Sequence, residues 1–151
     1  MTGNRSGERA QPSGTPFHLW IVGGLSLLWN AVGAFDYVAT MIEFEPYMSG
    51  FTERQLEYFY GFPAWVVSTW AIAVWGAFFG SVALLLRRRW ATWLFGASLA
   101  GVVGTSLHSF VLSEGAEIMG TTGALFSVAV GFVAILLPLY ARRMAHRGVL
   151  R

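Results

Sequence analysis

Four long apolar runs dominate this chain; they start near Phe17, Ala64, Trp90 and Ile118 and stop near Ile42, Leu86, Leu112 and Ala141. At ~1.5 Å of rise per residue, a helix built from any of them covers the ~30 Å of bilayer hydrocarbon, for which ~20 residues suffice. Strands of a membrane barrel need only ~9–11 residues, and within lipid a helix satisfies every backbone amide inside its own segment. Composition agrees with this reading. The chain is 55% hydrophobic and 12% charged, with a mean hydropathy of +0.54, too apolar and too poor in charge for a water-soluble domain. The expected fold is an all-α membrane protein, a bundle of four transmembrane helices spanning about 17–42, 64–86, 90–112 and 118–141.

The segments between the runs carry the orientation. Residues 1–16 are polar and rich in Gly and Pro, which predicts a disordered tail. Arg5 and Arg9 ahead of the first run resemble the start of a signal peptide, but the run exceeds the 7–15 residues of a signal core, so it reads as an uncleaved first span. Nine of the ten basic residues, Arg5, Arg9, Arg87, Arg88, Arg89, Arg142, Arg143, Arg147 and Arg151, fall on one side, against the single acid Glu8. The opposite connections hold Glu43, Glu45, Glu53, Glu57, Glu114 and Glu117 against Arg54 alone. The positive-inside rule therefore predicts cytoplasmic N and C termini, with residues 142–151 forming a basic cytoplasmic tail. Trp20, Trp90, Trp93 and Tyr140 at one boundary, and Tyr47, Tyr58, Tyr60 and Trp65 at the other, match two aromatic belts. A pI near 9.4 thus reflects topology, and no nucleic-acid partner is expected. The lipid bilayer is the first partner. With no cysteine in the chain, disulfides, thiol catalysis and thiolate metal sites are excluded.

The outer connection between the first two runs has its own helix signal. Thr52 with Gln55 three residues on reads as a capping box, with Phe51 and Leu56 as a hydrophobic staple. Residues 53–60 are accordingly predicted to form a short amphipathic helix at the surface, turning Leu56, Phe59 and Tyr60 toward lipid or the bundle. Small residues four apart mark faces for close helix approach: Gly76 and Gly80; Ala97, Gly101, Thr105 and Ser109; and Gly123, Ser127 and Gly131. Packing within the bundle is the simpler use of these stripes, and a homo-oligomer or larger membrane complex is the alternative.

The polar residues inside the runs are the candidates for function. Asn30, Gly33, Tyr37 and Thr40 share one face of the first span, with Asp36 at its margin. By rise, Asn30 is near midplane and Asp36 ~25 Å up; His108 in the third span is ~27 Å up, so the acid and the imidazole are expected at matching depth. A substrate, proton or cation site built on Asp36, His108, Asn30 and Tyr37 follows from the rule that intramembrane ionisable groups are functional. The competing reading has Asp36 and His108 reaching headgroup water and Asn30 tying two helices together. Haem ligation by facing histidines finds no support, since His18 and His146 lie at the basic end. Met41, Met48 and Met119 are irregularly spaced for copper, and no P-loop, nucleophile elbow or zinc-protease motif is present. No catalytic residue, metal or cofactor is therefore assigned.

Read as text, LWNAVGAFDY, FPAWVVSTWAIAVWG, LLLRRRWA and the tail YARRMAHRGVLR resemble a family of small four-helix proteobacterial membrane proteins, some of which bear the label "sugar transporter". The likeness covers the chain from about residue 17 and implies an inner-membrane location. Two functional expectations stand side by side. One is a non-enzymatic accessory or structural membrane subunit; the other is a small transporter using the Asp36 and His108 cluster. The second is similar in outline to small multidrug exporters, which also have four short helices and a carboxylate in the first. Here, however, Asp36 lies near the outer edge, and the strongly basic inner side opposes an antiparallel dimer.

Overall fold

The computed structural model describes residues 14–151; most of the tail expected for 1–16 lies outside them. The described residues form six α-helices: α1 (Phe17–Met41), α2 (Glu45–Met48), α3 (Glu53–Tyr60), α4 (Ala64–Leu85), α5 (Ala91–Leu107), which continues as a wider turn over His108–Leu112, and α6 (Gly115–His146). Helices α1, α4, α5 with its extension, and α6 are each long and apolar enough to cross a membrane. The protein is an all-α, four-span membrane protein. Side chains such as Leu25, Leu28, Val32, Val103, Leu125 and Phe132 stay exposed at the surface of the bundle, as suits helices whose solvent is hydrocarbon.

The chain reverses direction through related helix ends. At the end of α1, Phe44 N donates to Ala39 O and Glu43 N to Thr40 O; after α4, Arg88 N donates to Ala83 O and Arg87 N to Leu84 O. After α6, Val149 N donates to Met144 O and Gly148 N to Ala145 O. This pairing satisfies the last carbonyls of a helix and requires one left-handed residue. Glu43, Arg87 and Gly148 supply it at φ 53°, 55° and 71°. Only Gly148 adopts it without steric cost, so two of the three turns carry local backbone strain.

The tightest seam joins α4 to α5. A Cβ on Gly101 would lie 2.5 Å from both Ala73 N and Thr69 O, and one on Gly76 would lie 3.0 Å from Leu94 O. Gly80 gives room to the Phe95 ring, and Gly104 to Thr69. The small-residue stripes of the second and third spans therefore work inside the chain, where close backbone approach replaces the hydrophobic drive that lipid does not provide. Ser98 Oγ closes the same seam by donating to Ala73 O at 2.6 Å. The stripe on α6 does not pack this way. Gly131 has open space where its Cβ would be, and Gly123 faces Met119 of its own helix.

The main apolar core sits at the arginine-rich end, where Leu19, Leu84, Phe95, Leu137 and Met144 pack with Val149 and Leu150. Here the basic segment 142–151 is helical in its first half and packed in its second. Helix α6 runs on through Arg142 and Arg143 to His146, Gly148 turns the chain back, and Val149 and Leu150 are buried. Arg151 N donates to Arg87 O at 2.7 Å and Arg89 N to Arg151 O at 3.0 Å, stitching the chain end to the turn between α4 and α5. Two apolar side chains beyond a left-handed glycine are what convert a charged segment into a clamp. The fourth span also begins earlier than expected, at Gly115, and is broken at Gly120 with φ 64° and ψ −167°, backbone angles essentially reserved for glycine.

The fourth seam, between α1 and α6, is open. His18 and Tyr140 bridge it at the arginine-rich end with a 2.6 Å hydrogen bond, and Trp29 meets Phe126 further along at a ring separation of 6.0 Å. Between these contacts lies a cleft of about 1180 Å³.

Candidate functional site

The four polar residues singled out in the sequence are placed in three separate environments. Asn30 is buried on α1 and its Nδ2 donates to Ser81 Oγ at 2.9 Å and to Ala77 O at 3.3 Å, both on α4. Ser81 Oγ in turn donates to Ala77 O at 2.9 Å. The amide and hydroxyl thus satisfy each other across the α1–α4 interface, the use that small polar side chains commonly find between membrane helices. Tyr37, two turns on, sets its ring edge-on against Trp70 and Trp75 of α4, with centroids 5.0 and 6.5 Å away.

Asp36 meets a residue expected only in an aromatic belt. Tyr47 of α2 donates its hydroxyl to Asp36 Oδ1 at 2.7 Å. The contact exists because the left-handed Glu43 folds the chain back at the end of α1 and Pro46, in the first turn of α2, directs that helix over the mouth of the bundle. Phe35 and Phe51 pack edge-on to the same tyrosine ring. Burial, followed by the hydrogen bond and the negative charge of Asp36, pushes the Tyr47 hydroxyl well above its usual range. Pro46 in a four-residue helix was the only sequence signal for this arrangement, and it does not reveal the partner.

His108 lies elsewhere. Its ring is boxed by Tyr58 of α3, Phe62 and Trp65, at centroid separations of 6.1, 5.4 and 5.6 Å. Only 9% of the residue is exposed, and its Nδ1 is buried with no hydrogen-bond partner. Among the described residues no hydrogen bond or ion pair joins it to Asp36. The helix widens at this point, from His108 to Leu112, and ends where Ser113 Oγ donates to His108 O at 2.8 Å. Such widened turns are frequent at functional sites. Tyr58 completes the wall, its hydroxyl 3.3 Å from Ser109 Oγ and 3.1 Å from Ser113 Oγ.

The box depends on α3, whose bounds match the predicted 53–60. The capping box is formed in both directions: Gln55 N donates to Thr52 Oγ1 at 3.3 Å, and Thr52 N to Gln55 Oε1 at 3.0 Å. Its orientation adds to the expectation, because Tyr58 is directed at the bundle while Tyr60 is exposed. Arg54, one turn before Tyr58 on the same helix face, pairs with Glu114, which precedes α6, and with Glu117 of α6 at 3.4 and 3.3 Å. All three side chains are exposed, so the pairs contribute about 0–1 kcal/mol. Among the described residues no group of three or more His, Cys, Asp or Glu side chains gathers as a metal site would require.

No protein-family model, curated protein or solved structure matches this chain. The geometry of these side chains is therefore the ground for any functional reading.

Proposed function

We propose that the protein is a non-enzymatic accessory or structural subunit of a bacterial inner membrane, with its arginine-rich end and both termini in the cytoplasm. The carrying observation is the use to which the polar side chains are put: Asn30 ties α1 to α4, Asp36 ties α1 to α2, and Ser98 ties α5 to α4. Groups spent on fixing helices to one another are spent on shape. In this reading the exposed apolar faces of α5 and α6 are available to membrane partners, whether other copies or a larger complex. The orientation follows from the positions of the arginines, and the inner-membrane assignment from the resemblance of the chain to small proteobacterial four-helix proteins.

Proteoliposomes test the functional part. Reconstituted wild type and Asp36→Asn should give the same solute and proton flux across an imposed pH gradient as empty vesicles. Flux that depends on Asp36 would overturn the reading. A cysteine at position 147 tests the orientation and should react with an impermeant reagent only after the inner membrane is opened.

A second reading, a small transporter of a solute, cation or proton, is favoured by one observation, the buried and unbonded Nδ1 of His108. It places the moving proton or solute on His108 alone, with Asp36 already engaged by Tyr47. Flux lost in His108→Ala and kept in Asp36→Asn would select it.

A further inference from the structure

The cleft between α1 and α6 is concave and has charge at only one end, whereas the smaller cavity between α5 and α6 is lined by no charged residue. Its walls are apolar: Leu25, Trp29 and Val32 from α1, and Val133 and Leu136 from α6. Two of the polar side chains on those walls are already engaged: Ser26 Oγ donates to Gly23 O at 3.1 Å and the Tyr140 hydroxyl is bonded to His18. At the arginine-rich end the lining changes to Arg142, Arg143 and His146. His146 follows these arginines by four and three residues, so all three project from one end of one helix face. Both arginines are exposed. Among the described residues the only ion pairs are those of Arg54 at the opposite end, and no acidic side chain lies at this end.

The dimensions match one leaflet. The lining of α1 runs from Val22 to Val32 and that of α6 from Val133 to His146, which at ~1.5 Å per residue is about 15 and 20 Å. Half of a ~30 Å hydrocarbon core is about 15 Å. A concave apolar track of leaflet length with a cationic mouth is the shape of a phospholipid with an anionic head. A second copy of the chain fits less well, because a symmetric contact would bring the same arginines of both copies into one mouth.

We propose that this cleft is a binding site for an anionic phospholipid of the leaflet on the arginine-rich side. The lipid phosphate is held by Arg142 and Arg143 with His146 beside them, and one acyl chain lies between α1 and α6. Basic pockets between membrane helices recognise anionic head groups by this chemistry, and the planar guanidinium suits a phosphate better than a point charge does. The lipid would fill a seam of the bundle that side chains leave open.

Native mass spectrometry of the full chain, released from mild detergent with dioleoyl phosphatidylglycerol or dioleoyl phosphatidylcholine, tests this directly. The two lipids have the same chains and differ in head-group charge. Phosphatidylglycerol should be retained about tenfold more tightly, and Arg142→Gln with Arg143→Gln should abolish that preference. Arg88→Gln with Arg89→Gln removes the same charge from the same end but away from the cleft, and should leave the preference within about twofold of wild type. Leu136→Trp, which fills the track, should weaken retention of both lipids while circular dichroism shows an unchanged helical content. Equal retention of the two lipids, or equal loss in both double variants, would reduce the effect to general attraction of anions and overturn the site. So would a lipid-free dimer that Leu136→Trp abolishes, since a second copy would then occupy the cleft. The arginine variants lie on an exposed surface, so the test stands even if Leu136→Trp fails to fold.

Discussion

The α4–α5 and α1–α6 seams solve the same problem in opposite ways. Across α4–α5, four glycines bring backbones and side chains into direct contact and Ser98 adds a hydrogen bond, leaving no room for a methyl group at Gly101. Across α1–α6, one hydrogen bond and one aromatic contact bracket a cleft of about 1180 Å³. In lipid, two helices gain little by hiding apolar surface from each other, because the hydrocarbon is as apolar as leucine. A seam therefore closes where small residues face one another and stays open where Trp29, Leu25 and Leu136 line it. The difference shows that sequence small-residue stripes predict contact only in pairs. Gly123, Ser127 and Gly131 on α6 repeat at the four-residue spacing of Gly76 and Gly80, yet no neighbouring helix comes within contact distance of Gly123 or Gly131.

The sharpest way to break the comparison is to put the same side chain at a glycine that faces backbone and at one that faces open space. Gly101→Leu would collide with the backbone of Ala73 and Thr69, and is expected to cost more than about 4 kcal/mol, the range in which a small membrane protein fails to fold. Gly131→Leu, with open space at its Cβ, should stay within about 0.5 kcal/mol of wild type. Unfolding in mixed detergent, followed by circular dichroism, distinguishes the two. Comparable losses at both positions would remove the distinction between a glycine in backbone contact and one facing open space.

A smaller effect is expected where polar ties replace glycine contact. Asn30→Leu removes the donor to Ser81 and Ala77, and should cost about 0.6–1.7 kcal/mol in the same assay, the worth of an interhelical hydrogen bond in a membrane protein. Tyr47→Phe deprives Asp36 of its donor and should show a pH signature. The Tyr47 hydroxyl is raised in the folded state by burial and by Asp36, so its contribution is complete below the ordinary tyrosine value near 10. As pH rises past that value the unfolded chain ionises first, and this contribution is progressively lost. Wild type should therefore lose more stability than Tyr47→Phe on going from neutral to strongly alkaline pH. Identical alkaline profiles would show that the Tyr47 to Asp36 bond is not formed in the membrane. The smallest effect belongs to Leu25→Ala on the open seam, expected at below about 0.5 kcal/mol because the residue is 64% exposed.

Much of this architecture was legible from apolar run length and the positions of arginine, since both are averaged over many residues. The capping box at Thr52 and Gln55 was also legible, because its chemistry is local. What could not be read depends on chain reversal. The bond from Tyr47 to Asp36 requires a left-handed Glu43, a conformation that glutamate rarely advertises, and the docked Val149 and Leu150 require Gly148 to turn a segment whose charge suggests solvent. Equal depth along two helices placed Asp36 and His108 together on paper, but depth fixes one coordinate only. In the structure Asp36 is engaged by α2 and His108 is enclosed by Tyr58, Phe62 and Trp65. The break at Gly120 was hidden for a related reason, as a glycine within an apolar run looks the same whether it is helical or not.

The contrast between a closed and an open seam can be measured with single cysteines, since the chain has none of its own. In phosphatidylcholine liposomes without anionic lipid, a membrane-soluble maleimide should label Leu136→Cys on the α1–α6 seam at a rate close to that of Val128→Cys on the free face of α6, and should leave Ser98→Cys on the α4–α5 seam unlabelled. Labelling of Ser98→Cys as fast as Leu136→Cys, or protection of both, would contradict it.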